Sequence, residues 1–322
     1  ITPVNACRYE KMFVTRAIDL SWAEELIVVG LLPHLAIAKI PPLVSPHWLQ
    51  ENLNQTALVV LDIQPRQYFE RAHIPGAVHT DYGRWRITDD NGLGKMLPKP
   101  ALLATLIGSH GIGNDSHVVI APFGRGAGDM AAAARIYWTL YVAGLEQISI
   151  LDGGLFAWYR AFGKEALESG FTPATAKAFE VRLRDEQLMP MDKVGEHLSA
   201  GRSLIDSRSV PEFVGQVAGA PNERPGALPK AVNLPYDSLM KPDDSGLLDL
   251  EQLKQRFRDA GAPLTGPQIS YCHTGHRTSL VWFVSHALFG NDDARLYDGS
   301  TLEWSATESR PLVTRVASPT KR

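Results

Sequence analysis

One cysteine closes a short β-type run and opens a helical one: Ile269-Ser270-Tyr271-Cys272-His273-Thr274-Gly275-His276-Arg277-Thr278-Ser279-Leu280. A thiol carried into a tight turn before an amphipathic helix is placed for nucleophilic chemistry. Turn N–H groups and the positive end of the following helix favour thiolate over thiol. His273, His276 and Arg277 add donors and positive charge. A packing cysteine would sit inside an apolar run, without the neighbouring Gly and Arg. Cys272 is therefore the candidate nucleophile, and His273, Thr274, Gly275, His276, Arg277 and Thr278 form the loop expected to hold an anion. Two readings of Arg277 stay open: an ion pair at a domain interface, or a role in shaping the loop and holding the substrate.

Other chemistries fit less well. Cys272-His273 with His276 has a metal-like spacing. A six-residue turn aims its amides inward and its side chains outward, and no second Cys or His pair lies nearby, so no metal is expected. Gly124, Gly126 and Gly128 echo a dinucleotide loop, but the Gly-x-x-Gly spacing is wrong and no acid closes a second strand in the expected place. No cofactor is implied.

The elements that must position Cys272 come twice. The first copy opens with Thr56-Ala57-Leu58-Val59-Val60-Leu61-Asp62-Ile63, followed by Ala72-His73-Ile74-Pro75-Gly76-Ala77-Val78. The second opens with Ser203-Leu204-Ile205-Asp206-Ser207-Arg208, followed by Pro225-Gly226-Ala227 and on to Val232-Asn233. His117 to Ala121 answers Gln268 to Cys272. Helical runs follow, ending near Gly144 and Gly290, as helix C-termini prefer. Leu151-Asp152-Gly153-Gly154 through Trp158 mirrors Tyr297-Asp298-Gly299-Ser300 through Trp304. Strands alternating with helices imply βα units on a mostly parallel sheet, which binds ligands beyond the carboxyl ends of its strands. Asp62 and Asp206 read as loop-capping groups, and Trp158 and Trp304 as core anchors. Aligned strand ends set Ala121-Pro122 opposite Cys272, so the first copy has no nucleophile and serves as a wall of the second copy's site.

The chain has 322 residues, 44% hydrophobic and 21% charged, as in an ordinary globular protein of two domains. A net charge of −3 suggests no nucleic-acid partner, and no run reaches the length of a membrane span. Two cysteines cannot build a disulfide framework. The expected organisation is a leader over residues 1–41, a domain without the cysteine over 42–163, a linker over 164–188 and a catalytic domain over 189–322. The run from Leu26 to Ala38 reads either as a signal-peptide core or as a short packed helix. The second reading gives a cytoplasmic protein, the first a periplasmic one.

These motifs resemble the tandem-rhodanese sulfurtransferases, which include thiosulfate and 3-mercaptopyruvate sulfurtransferases. The likeness covers residues 42 to 310. Its most specific parts are Cys272-x-x-Gly275-x-Arg277-Thr278 and Tyr297-Asp298-Gly299-Ser300 through Trp304. It implies an α/β fold of two tandem rhodanese-like domains, each a mostly parallel sheet flanked by helices. It also implies sulfur transfer through a Cys272 persulfide, from a small anionic donor to cyanide, a thiol or a protein acceptor. Loop amides from His273 to Thr278 would cradle the persulfide, and His273, His276 and Arg277 would hold the donor. Many members carry an Arg just before the Phe aligned with Phe213, and a second further on. Here the first position is Glu212, and Arg224 stands for the second. The His and Arg of the loop favour a compact dianion, hence thiosulfate over 3-mercaptopyruvate. Two rivals remain. A persulfide carrier serving a protein partner shares Cys272. A phosphatase on the same scaffold would need five residues between Cys and Arg, and four separate Cys272 from Arg277.

Overall fold

A computed structural model describes residues 40–221, 223–243 and 246–315. The leader expectation for residues 1–39 lies outside them.

The first half runs β1 (Leu43–Val44), α1 (Pro46–Asn52), β2 (Leu58–Asp62), α2 (Arg66–Phe69), β3 (Val78–His79), α3 (Pro100–Ser109), β4 (His117–Ala121), α4 (Ala127–Val142), β5 (Gln147–Leu151) and α5 (Gly154–Phe162). The second runs α6 (Met191–Ser199), β6 (Ser203–Asp206), α7 (Val210–Val214), β7 (Val232–Asn233), α8 (Leu250–Asp259), β8 (Gln268–Tyr271), α9 (Arg277–Phe283), β9 (Ala294–Leu296) and α10 (Ser300–Ala306). A π-helical turn, Val284–Leu288, continues α9.

Every ladder is parallel. The sheet orders are β1-β5-β4-β2-β3 and β7-β6-β8-β9. Matching β2 with β6, β3 with β7, β4 with β8 and β5 with β9 superimposes the two orders. The bridge Leu188↔Leu296 stands where β1 pairs with β5 in the first half. The two tandem α/β domains expected from the motifs are present. Register corrects one detail of the repeat. Asp62 pairs with Ala121, and Asp206 with Tyr271. Pro122 alone therefore occupies the position of Cys272, and proline offers no nucleophile.

The Ala-rich α4 packs on α9. Small side chains permit close approach, and aromatics fill the flanks: Tyr137 meets Phe283 edge-on at 4.9 Å, and Tyr141 meets Trp282 at 5.7 Å. One apolar core thus extends from Leu61 and Trp138 in the first domain to Leu280 and Leu296 in the second. Trp158 and Trp304 are buried core anchors. The Asp-Gly turns are capped reciprocally across the interface: Leu97 N–H donates to Asp298 at 2.8 Å, and Leu247 N–H to Asp152 at 2.9 Å. The chain over 164–188 lies along the first domain. Lys177 N–H donates to Gly108 O, and Arg184 N–H to Val142 O. Among the described residues no helix is long and apolar enough to cross a membrane.

Candidate active site

Cys272 follows β8 directly and α9 begins at Arg277, so the loop is a strand-to-helix turn. The thiol-bearing residue is 1% exposed, beneath a half-buried rim of His273, Thr274, His276 and Arg277. Gly275 takes φ +71° at the crowded centre. A Cβ there would fall 2.5 Å from Arg135 Nη1 and 2.8 Å from Asp298 Oδ1, so only glycine fits.

Two first-domain arginines hold the loop by its carbonyls. Arg86 donates to Thr274 O, and Arg135 Nη1 reaches Gly275 O at 3.4 Å and Asp298 Oδ1 at 2.6 Å. A trans peptide points its N–H opposite to its C=O. Anchoring these carbonyls on the first domain turns the Gly275 and His276 N–H groups to the other face. There Ser300 Oγ accepts from Gly275 N–H at 3.2 Å and Cys272 N–H at 3.1 Å, and donates to Tyr297 O at 2.8 Å. Ser300 adopts φ +50°, where the first domain has Gly154 at +60°. The strained serine is the repeat's glycine converted into a loop anchor. Two loop amides thus serve Ser300. Those of His273, Thr274, His276 and Arg277 have no acceptor among the described residues.

The expected cations stand differently from the sequence expectation. Arg277 makes a bidentate pair with Glu212, both contacts at 2.7 Å. The pair and the Ser209 hydrogen bonds overcome burial and hold the Glu212 carboxyl down at about 2, and Glu212 keeps the Arg277 guanidinium protonated. Arg277 is thus paired within its own domain, and not with an acid at the domain interface as one of its two readings had it; it lies within electrostatic reach of Cys272. His273 Nε2 donates to Glu223 at 2.7 Å. His276 is a correction: burial, then the charges of Arg86, Arg135 and Arg277, push it down to about 3, so it is no cation. Its Nδ1 shares a hydrogen bond with the Tyr82 hydroxyl at 2.6 Å. Arg224 is a second correction. It donates to the carbonyls of Trp304, Ser305, Thr307 and Arg310, and so clamps the chain after α10 instead of holding a donor. Thr278 is buried, with its hydroxyl on Ser207 at 3.1 Å. Asp206 caps the Arg208 N–H and pairs with its guanidinium, while Asp62 caps Gln64. Among the described residues no cluster suited to a metal occurs.

Tyr82, Arg86, Arg135, Glu223, Tyr236 and Ser300 escaped the sequence reading. One signal was available. Asp62 pairs with His79 and Asp206 with Asn233, so Tyr82 and Tyr236 occupy the same position of the repeat. Both lie within electrostatic reach of Cys272.

The rhodanese-like domain model matches residues 45–161 and 190–307. The chain belongs to the rhodanese-like family. A rhodanese relative from Saccharopolyspora erythraea, named provisionally as a thiosulfate sulfurtransferase, is 29% identical over 280 residues, covering 84% of this chain and 95% of the relative. The structure of SseA, a 3-mercaptopyruvate sulfurtransferase of Escherichia coli, is 25% identical with a TM-score of 0.69, covering 81% of this chain and 99% of that one. An anaerobic ergothioneine biosynthesis enzyme from Chlorobium limicola shares the fold, with a TM-score of 0.74 at 23% identity, over 86% of this chain and 71% of its own.

Proposed function

We propose that this rhodanese-family sulfurtransferase moves a sulfane sulfur through a persulfide on Cys272. The Cys272 thiolate attacks the outer sulfur of the donor. A new S–S bond forms, the donor's bond to that sulfur breaks, and its electron pair leaves with sulfite from thiosulfate or with the enolate of pyruvate from 3-mercaptopyruvate. A thiophilic acceptor then attacks the outer sulfur and returns Cys272 as thiolate, a ping-pong sequence. One observation carries the reading. The cysteine sits at a strand end in a turn whose carbonyls are gripped by Arg86 and Arg135. Four loop N–H groups have no acceptor among the described residues, which supports their meeting an anion on that sulfur. The relatives' names make thiosulfate the first donor to try.

Mass spectrometry of the Cys272 peptide after separate exposure to thiosulfate and 3-mercaptopyruvate tests this. A gain of one sulfur is expected, and Cys272→Ser should abolish both the gain and thiosulfate:cyanide turnover. Turnover retained in that variant would sink the proposal. A protein that loads once and fails to turn over with any small acceptor would instead be a carrier.

A further inference from the structure

The first copy has no nucleophile, yet it keeps a cavity at the strand ends that the second copy turns to its site. In the second domain the chain leaving β6 and β7 brings Glu212 and Tyr236 to the neighbourhood of Cys272. The corresponding ends of β2 and β3 open on a cavity of about 540 Å³, a size that holds a small organic molecule. Gln64 and Arg66 line it after β2, His79, Tyr82 and Arg84 at and after β3, and Phe171 from the segment that follows α5. Its lining contains no residue of the second domain. Thiosulfate, sulfite and cyanide are far smaller than this space, and nothing in the proposed sulfur transfer calls on it.

Three features define what fits. The first is a positive charge without a partner. Arg66 spends its Nε on Glu70 at 2.7 Å and lies 4.2 Å over the Phe171 ring. The exposed Arg84 side chain has no hydrogen bond or ion pair among the described residues. The one acid of the lining, Asp81, caps the Gly83 N–H at 2.8 Å. The second feature is a buried acceptor without a donor. Gln64 is 1% exposed. Its amide nitrogen donates to Asp62 at 2.9 Å and to Ala72 O at 3.1 Å, while its Oε1 has no partner among the described residues. A buried acceptor left unmet is costly, and a donor on a ligand relieves that cost. The catalytic copy has Arg208 at this position, engaged with Asp206 and Gly226 O, so the orphaned oxygen belongs to the first copy. The third feature is an apolar wall of Ile63 and the exposed Phe171 ring.

We propose that this cavity is a second ligand site, for a small aromatic hydroxy acid, with the carboxylate on Arg84, the ring against Phe171 and the hydroxyl donating to Gln64 Oε1. Tyr82 is common to both sites: it lines the cavity, and its hydroxyl shares a hydrogen bond with His276 of the Cys272 loop.

The test is calorimetric titration of the full chain with 4-hydroxyphenylacetate. Three controls each lack one group: 4-hydroxyphenylethanol the carboxylate, phenylacetate the hydroxyl, acetate the ring. Arg84→Gln removes the charge at an exposed, unpaired position, so the fold and thiosulfate:cyanide turnover should stay as in the wild type. The expected result is binding that weakens about tenfold or more in Arg84→Gln and for 4-hydroxyphenylethanol. Phenylacetate should bind more weakly than the probe, acetate should give no heat, and added thiosulfate should leave the probe's affinity unchanged. No heat at millimolar probe, equal affinity in Arg84→Gln, acetate bound as well as the aromatic acid, or displacement by thiosulfate each overturns the inference. Displacement would place the probe beside Cys272 instead. The site does not depend on the persulfide, so a failed sulfur-loading experiment strikes the sulfur-transfer reading and leaves this titration to stand or fall by itself.

Discussion

Replacing Arg135 by methionine keeps much of the side chain's length and removes its charge. In the wild type this guanidinium is fully buried, 2.6 Å from Asp298 and 4.6 Å above the Trp138 ring. Deleting one member of a buried pair leaves the other charge uncompensated, at a cost of about 3–5 kcal/mol. Asp298 is not wholly stranded, because its side chain is 14% exposed and it keeps the Leu97 N–H. That sets the loss near the lower end, at about 3 kcal/mol. The apolar core is continuous across both domains, so unfolding is expected as one transition. With a urea slope of about 3 kcal/mol/M, the midpoint falls by about 1 M. Asp298→Asn removes the stranded charge, so the double variant should regain roughly 2 kcal/mol relative to the sum of the single changes. Sulfur transfer should fall as well, since Gly275 O loses its anchor and the free amides lose their aim. The measurement is urea unfolding of the wild type, both single variants and the double variant. If Arg135→Met unfolds at the wild-type urea concentration, or the double variant is no better than additive, the buried pair does not hold the loop and the reasoning is wrong.

Three further outcomes follow from individual contacts. Burial pushes the Asp62 carboxyl up to about 7. The folded chain thus holds a proton that the unfolded chain releases near 3.8, so the Asp62 contribution to stability is fullest below about pH 4 and declines as pH rises towards 7. Asp62→Asn should erase that decline, gaining about 4 kcal/mol at pH 8 and little at pH 4 in thermal or urea melts. Ser300→Ala should cut kcat by tenfold or more, because two loop N–H groups lose their acceptor, while Ser300→Gly should be the more stable of the two by about 1 kcal/mol because of the positive φ. Arg224→Ala should lower the melting temperature and leave the donor KM unchanged, since its donors serve four main-chain carbonyls; a raised KM with an unchanged melt would restore it to the donor site.

What could be read from sequence was local or repeated. The strand ending in Asp62 and its counterpart at Asp206 declared themselves by apolar runs closed with an acid. Cys272 declared itself by the Gly and Arg that follow it. The cysteine's surroundings were harder because they come from the other domain. Arg135, in an Ala-rich helix, reads as an ordinary solvent-facing arginine until α4 packs on α9. Arg86 and Tyr82 lie far from Cys272 in the chain, and no periodicity announces a long-range contact. Charges were misjudged for the same reason. His276 reads as a cation in sequence, yet three arginines and burial keep it neutral. Arg224 follows a family position, but the chain after α10 had first to fold back beneath it.

The crossed caps on the Asp-Gly turns carry a consequence for dissecting the molecule. Each half supplies a hydrogen bond that finishes the other, and the half bearing Pro122 also provides both arginines that steady the thiol-bearing turn. Excising the half that bears Cys272 would therefore discard the geometry of its loop along with its neighbour. A chain nicked within 164–188 would instead stay together, two fragments each serving as the other's missing wall.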